Sequence, residues 1–442
     1  MKKKVITCDT LIIGGGQAGL ISANILSNLG YETILVEKSP ILGGGNSSFQ
    51  NSFGDTFDYG YHALDYNRSL FTSNFFKSLL DNEINVFNLK RGLLLNNKII
   101  KYAEVPNKWP KDFKITTKKV KDNIDVNIPI TKKKLTKIYG KKFTEFIYKK
   151  VLYSYPSLIK LKSLGHSEKD LIQQVYPWFF PKILKTKKAK TEFQLYHDKV
   201  RNEGNQKIMY PKKGGFSQFM EAIVKNSNPK YLNIFKNAQN MKFHFKDEHV
   251  KTVAFNDKII KAKNIYWCTS LTYLAEMMNI NVKKSDATKQ EIILGSFTFK
   301  DKIQTNYHEI LVGDPNCNFN RIGFPKKLSN DTVINTLQVE YYFPKGEFLE
   351  TSEEWKKIWT KQLKKAGIVE EENKLLEFDF KRYDAGYLNS DSNTKHIKEL
   401  QKKLNSKSSN IFVPFRGEGP ENINRIVPTV FKNVIDKITT QQ

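Results

Sequence analysis

The sequence predicts an α/β protein, and three observations near its start carry the prediction. Residues 5–13 form a largely apolar run that reads as a buried strand. A glycine cluster, Gly14-Gly15-Gly16-Gln17-Ala18-Gly19, follows at once and spells GxGxxG with Gly14, Gly16 and Gly19. Residues 20–29, rich in Ala, Leu and Ile, then read as a helix. A second strand over residues 31–36 closes on an acid, Glu37, eighteen positions after Gly19. Strand, glycines, helix, strand and acid in this order describe a Rossmann-like nucleotide-binding unit.

Each part has a physical task. Gly14 permits a tight turn, Gly16 lets the backbone approach a pyrophosphate, and Gly19 lets helix and strand pack closely. The helix start offers free N–H groups and the positive end of its dipole to phosphate. Gly30 sits where a helix-ending glycine belongs. Glu37 can accept hydrogen bonds from a ribose diol and would repel a 2′-phosphate, which disfavours NADP. On this logic alone FAD and NAD both remain open.

Composition narrows the class. The chain has 442 residues, long enough for two or three structural units and for a core without disulfides or metal staples. Mean hydropathy is −0.51, and no apolar run reaches the ~18 residues a spanning helix needs. Asp9 interrupts the first apolar run and glycines follow it, so a secretory signal is not expected. Three cysteines, Cys8, Cys268 and Cys317, exclude a disulfide scaffold and fit a reducing cytoplasm. No CxxC and no Cys/His cluster at zinc spacing occurs, so no metal site is expected.

The formal charge is +27, but it comes from 65 Lys and only 7 Arg. A nucleic-acid reader leans on arginine, so no nucleic-acid partner is expected. Four of the seven arginines, Arg321, Arg382, Arg416 and Arg425, lie in the C-terminal third.

The residues after Glu37 separate FAD from NAD. They read Lys38-Ser39-Pro40-Ile41-Leu42-Gly43-Gly44-Gly45-Asn46-Ser47, and Phe57-Asp58-Tyr59-Gly60-Tyr61-His62 comes shortly after. Together with the glycine cluster these segments resemble the N-terminus of the superfamily of FAD-dependent amine oxidases, protoporphyrinogen oxidases and UDP-galactopyranose mutases. The polysaccharide-associated branch is the most similar. Tyr210-Pro211-Lys212-Lys213-Gly214-Gly215-Phe216 resembles the P-x-GG start of a mid-chain helix in that superfamily. Residues 261–268 resemble its strand returning to the nucleotide-binding sheet. Asp314-Pro315 and Phe319-Asn320-Arg321-Ile322 resemble a segment that crosses beneath the flavin.

The resemblance implies FAD as cofactor. It puts Gly14, Gly16, Gly19, Glu37 and Lys38 on the nucleotide, and Gly43, Gly44 and Asn46 near the pyrophosphate and flavin. It puts Gly60, Tyr61 and His62 near the ring, and Arg416, Gly417 and Glu418 in a turn closing on FAD. His62 and Arg321 are the catalytic candidates. Arg321 and Arg382 are candidates to grip an anionic substrate, because guanidinium pairs well with phosphate or carboxylate. The C-terminal turn departs from the mutase pattern, since Glu421, Asn422 and Ile423 stand where tyrosines would clasp a diphosphate.

The implied organisation is a Rossmann-like FAD-binding domain from 1–75, 205–275 and 395–442, and a discontinuous α+β substrate domain. The latter comprises a helical insertion, 76–204, and a sheet-bearing segment, 276–394. A helix is expected at 395–404 and a last one at 427–438. Lysine-rich stretches within 111–150 read as a solvated face, with peripheral membrane association as the other use. The expected activity is hydride transfer from a small organic substrate to flavin, with the protein supplying position and electrostatics. Redox-neutral sugar-nucleotide isomerisation by reduced flavin is the alternative. A non-catalytic nucleotide-binding protein with a basic surface is the third reading. The oligomeric state stays open.

Overall fold

The computed structural model describes residues 4–81, 83–95, 97–101, 206–246, 249–278, 289–312, 317–329, 331–344, 350–387, 410–415 and 423–440, with residues 136, 141, 399 and 402 besides. The chain opens with β1 (Lys4–Ile13), α1 (Gln17–Asn28) and β2 (Thr33–Val36). Helix α1 starts three residues before the expected position because Gly16 itself is the N-cap. Strand β2 starts two residues late. Gly30 turns left-handed (φ 85) and the Tyr31 N–H bonds back to the Leu26 carbonyl at 3.0 Å, so residue 31 still belongs to the helix terminus.

Short elements follow: β3 (Ser48–Gln50), β4 (Thr56–Asp58), β5 (Leu64–Asp65) and α2 (Leu70–Leu80). Next come β6 (Ile84–Asn88), β7 (Arg91–Leu95) and β8 (Lys98–Lys101). These three strands correct the expected helical insertion at its start. Runs as short as Leu93-Leu94-Leu95 fit helix or strand by periodicity alone, and pairing partners decide. Here β6 pairs with β9 (Lys207–Pro211), and β7 pairs with β8 across a turn in which Asn97 is left-handed (φ 56).

The middle of the chain supplies α3 (Ser217–Lys225), β10 (Leu232–Phe235), β11 (Lys242–Lys246), β12 (His249–Phe255), β13 (Lys258–Trp267) and α4 (Leu271–Met277). The C-terminal part supplies β14 (Lys289–Phe299), β15 (Glu309–Val312), β16 (Arg321–Gly323), α5 (Pro325–Leu328) and β17 (Thr336–Pro344). After these come α6 (Ser352–Lys365), β18 (Leu375–Tyr387), β19 (Ile411–Phe412) and α7 (Ile423–Thr439). The helix expected at 395–404 lies outside the described residues apart from 399 and 402.

Two seven-stranded sheets organise these elements. The first has the order β10-β2-β1-β13-β12-β11, with β19 also on β13. Its β10, β2, β1, β13 and β19 run parallel, and β11 and β12 add an antiparallel flank. Leu11, Ile12, Ile13, Ile34, Leu35 and Val36 are all buried, as befits parallel strands covered on both faces. Ile12 and Leu35 face α1, α3 and α7; Leu11, Ile13, Ile34 and Val36 face the opposite core with Trp267.

The second sheet has the order β18-β14-β17-β16-β15-β7-β8, antiparallel except for β15 on β7. Its two faces differ. Ile293, Phe297, Ile310, Ile322 and Val339 join Trp355, Trp359 and Leu363 of α6 in an apolar core. The alternate residues Arg91, Glu309, Arg321, Gln338 and Glu340 make the other face polar, through the two-residue period of a strand. No helix among the described residues is long and apolar enough to cross a membrane.

Candidate functional site

The turn after β1 builds an open cradle. Gly14 holds φ at 102° and donates to the Val36 carbonyl at 2.9 Å, which folds the chain sharply toward α1. Gly19 lies against that turn; a Cβ there would stand 1.9 Å from the Gly14 carbonyl oxygen. Gly16 caps α1 without any side-chain hydrogen bond, so the helix start keeps its N–H groups. A second glycine loop docks on the first: the Gly43 N–H donates to the Gly15 carbonyl at 2.8 Å, and Gly16 and Gly43 form a parallel bridge. A short 3₁₀ turn, Gly44–Asn46, follows. A Cβ at Gly16 or Gly45 would meet nothing within 4 Å.

Gln17 sits at the mouth of this cradle. Its Oε1 accepts from the Asn46 amide at 3.2 Å, while its buried Nε2 has no partner. An uncapped helix start, backbone open on two sides and an orphaned donor suit a diphosphate, so the residues present fit a dinucleotide such as FAD. Glu37 ends β2 beside the cradle. Its Oε2 accepts from the Gly15 N–H at 2.6 Å and its Oε1 from the Ser39 N–H at 2.7 Å. Lys38 is exposed, and only its carbonyl is engaged, by Gln239 at 3.2 Å.

The strip from β3 to β5 leads away from the cradle and is tied by one buried acid. Asp58 Oδ1 accepts from the Phe216 N–H at 2.9 Å and from Ser48 Oγ at 2.7 Å. Its Oδ2 accepts from the Tyr210 hydroxyl at 2.7 Å. Burial pushes the Asp58 carboxyl above the ordinary range, against the opposing pull of the Phe216 N–H. Burial likewise raises the Tyr210 and Tyr61 phenols. His62 lies against Phe216, ring centres 5.4 Å apart, and its Nδ1 is buried without a partner. Burial pulls its pKa below the ordinary value, overriding the nearby Asp58 charge, so the imidazole stays neutral at neutral pH. Gly60 turns left-handed (φ 115), and beyond it the Tyr61 ring lies against Gly323 while His62 lies against Phe216.

The polar face of the second sheet forms the facing wall. Gln338 Nε2 donates to the Asp58 carbonyl at 2.9 Å, and the Tyr383 hydroxyl donates to the Tyr59 carbonyl at 2.8 Å. Arg321 does not offer an open guanidinium. Its Nε donates to Glu340 Oε2 at 2.7 Å, its Nη2 is 2.5 Å from the same oxygen, and Glu309 stands 3.7 Å from Nη1. Arg382 pairs with Glu291 at 2.6 Å. The expectation that these two arginines grip an anion therefore meets carboxylates already in place. Arg416, Gly417 and Glu418 lie outside the described residues, as does the Arg425 side chain.

Several site residues escaped the sequence reading: Gln17, Asp58, Tyr210, Glu309, Gln338 and Glu340. Their signal was polarity in the wrong place. Gln338 and Glu340 occupy inward positions of an alternating strand, and both are fully buried. Cys268, at the end of β13, has its thiol pushed up to about 12 by burial, which suits a packed strand end rather than a nucleophile.

The comparisons agree with this geometry. A family model described as an NAD(P)-binding Rossmann-like domain matches residues 12–79. No curated protein matches the chain by sequence. Among solved structures, reduced UDP-galactopyranose mutase is similar with a TM-score of 0.70 at 15% identity, over 98% of this chain and 96% of that one. A protein from Exiguobacterium sp. 255-15 assigned as a protoporphyrinogen oxidase gives 0.68 at 12% identity, over the whole of both chains. A putrescine oxidase double mutant redesigned in cofactor binding gives 0.60 at 12% identity, over 99% of this chain and 100% of that one. The chain thus shares the fold of these three solved structures, with a Rossmann-like domain matched over residues 12–79.

Proposed function

We propose that this protein is an FAD-dependent oxidoreductase acting on a small organic substrate held between the glycine cradle and the polar face of the second sheet. The observation that carries the reading is the double glycine loop, with Gly43 bridged to Gly16 and the buried Gln17 Nε2 left without a partner at the adjoining helix start. In this reading Gly14, Gly16, Gly43, Gly44 and Gln17 hold the diphosphate, and Glu37 holds the ribose. Bound FAD would supply the acceptor for a hydride from a substrate C–H bond.

The chain's own residues supply the rest. His62 is neutral and its Nδ1 has no protein partner, so it can take a proton from a substrate O–H or N–H group. Phe216 packs beside that ring at a 38° tilt, its centre 5.4 Å away. The neighbours support a flavoenzyme of either chemistry, oxidase or mutase. Oxidation is favoured over isomerisation because Arg321 and Arg382 are each held by a glutamate and do not present a free grip for a sugar-nucleotide diphosphate. The likeness to reduced UDP-galactopyranose mutase over nearly the full length of both chains is the observation behind the second reading.

The deciding experiment starts with mass spectrometry and absorbance of the purified protein. FAD should be released on denaturation. The flavin band should then bleach anaerobically with candidate amines, alcohols or porphyrinogen-like donors and recover with oxygen or a quinone. Turnover of sugar nucleotides only after dithionite would transfer the assignment to the mutase reading. A protein that neither contains nor takes up FAD would overturn both.

A further inference from the structure

The polar face of the second sheet carries a row of four alternating charges on four adjacent strands. Arg91 on β7 is the register partner of Glu309 on β15, and the two side chains are in close contact. Arg321 on β16 is the register partner of Glu340 on β17. Glu309 also reaches Arg321 at 3.7 Å. The carboxylates are almost completely buried, Glu309 at 3% exposure and Glu340 at 0%. Burying four charges is costly, and an apolar row of the same size would pack at least as well for stability alone. What an ionic row adds is direction, because Glu309 Oε1 faces Arg91 while Glu340 Oε2 faces Arg321, through two nitrogens each.

Both ends of the row grip the same strip of chain. At one end Glu340 Oε1 accepts the Tyr61 backbone N–H. At the other end Arg91 Nη1 donates to Gln206 Oε1 at 3.3 Å, and Gln206 Nε2 donates to Asp65 Oδ2 at 3.0 Å. The row therefore closes a loop from Tyr61 to Asp65, with His62 inside it. Tyr61 adds a clamp beside the row. Its ring lies on Gly323, where a Cβ would come within 2.0 Å of it, and its hydroxyl donates to the His308 carbonyl at 2.6 Å. The Arg321 guanidinium sits over the same ring at 5.6 Å.

We propose that Arg91, Glu309, Arg321 and Glu340 form a positioning ladder that fixes where His62 stands, with Glu309 as its central rung. The proposal rests on the reading of His62 as the proton acceptor for its consequence in catalysis, but the ladder itself is testable without flavin. Glu309 joins the row through Arg91 and Arg321, and its charge also acts on Tyr61, so its removal should reach His62 through the row and the Tyr61 clamp.

The test is Glu309→Gln in the full-length protein, with Arg91→Lys as a second variant that keeps the charge but loses the planar fork joining Glu309 to Gln206. Asp9→Asn, which breaks the Asp9–Lys263 pair on the first sheet, is the control. The readout is the ring resonances of His62 in histidine-labelled protein, assigned by their loss in His62→Gln. Both ladder variants should move these resonances by more than a linewidth, and the control should leave them in place. In FAD-loaded protein the same two variants should also shift the flavin absorbance band. If Glu309→Gln lowers the melting temperature while the His62 resonances stay in place, the row is only structural and the proposal fails. If Glu309→Gln does not fold, unmoved resonances in Arg91→Lys overturn the proposal equally. If the protein binds no flavin yet the resonances move, the ladder stands and the oxidoreductase reading falls alone.

Discussion

Gly19 shows how much one residue can settle. Its missing side chain lets α1 approach the turn after β1 so closely that a methyl group would lie 1.9 Å from the Gly14 carbonyl oxygen. Gly19→Ala should therefore push the helix start away from the turn, with overpacking worth ~1–3 kcal/mol. FAD titration of the cofactor-free protein should show at least a tenfold weaker Kd, and unchanged affinity would refute the cradle. The GxGxxG spacing made this residue legible, because the demand on the backbone is local. Glu340 and Gln338 were not legible in the same way, since the residues they hold on the strip, Tyr61 and Asp58, lie 279 and 280 positions away. Sequence spacing cannot reveal a bond that only the packing of two sheets creates.

A second residue gives a pH signature. His308 Nδ1 accepts from the Lys90 N–H at 2.8 Å, and burial together with Lys327 and Lys90 pulls the imidazole down to about 4. An unfolded histidine takes up its proton near pH ~6.5. Between those values the unfolded chain binds more protons than the folded one. The His308 contribution is thus complete above ~6.5 and is lost as the pH falls toward 4. Thermal melts from pH 7 to pH 4 should lose less stability in His308→Gln than in the parent protein. Parallel curves would show that His308 is not the group responsible.

At the scale of elements, α6 is the clearest case of local and tertiary signals agreeing. Thr351 Oγ1 accepts from the Glu354 N–H at 3.3 Å and Glu354 Oε2 accepts from the Thr351 N–H at 2.6 Å, a reciprocal capping box. Trp355, Trp359 and Leu363 then recur every fourth residue and all face the sheet. Because the cap is exposed, Thr351→Ala should cost about 1 kcal/mol with no effect on FAD affinity. A chemical denaturation series reads the first quantity and flavin titration the second. The elements at 84–101 show the opposite situation. Their apolar runs are short, and β7 becomes a strand because β15, more than 200 residues later, offers it an edge. The first strand, helix and second strand were legible since each contains its own start and stop.

At the scale of the molecule, the two sheets meet through polar contacts on the strip between residues 48 and 62. Asn51 bonds Thr298 at 2.9 Å, Ser52 bonds Glu377 at 2.8 Å, Lys326 pairs with Asp55 at 2.9 Å, and Gln338 holds the Asp58 carbonyl. The same strip continues from the second glycine loop, so a dinucleotide in the cradle would brace the wall against which both sheets rest. Ligand binding to the native state alone adds RT ln(1 + [L]/Kd), about 2.7 kcal/mol at a hundredfold excess over Kd. That gain should appear in both sheets together, since loosening the strip releases the cradle and the polar face at once. With Trp109, Trp178 and Trp267 replaced by Phe, tryptophan emission should report the second sheet through Trp355 and Trp359, while flavin fluorescence reports release from the first. The two signals should share one midpoint, and added FAD should raise both by the same number of degrees. Flavin release well below the tryptophan transition would mean that the sheets unfold separately and that the polar contacts between them do not couple cofactor to substrate wall.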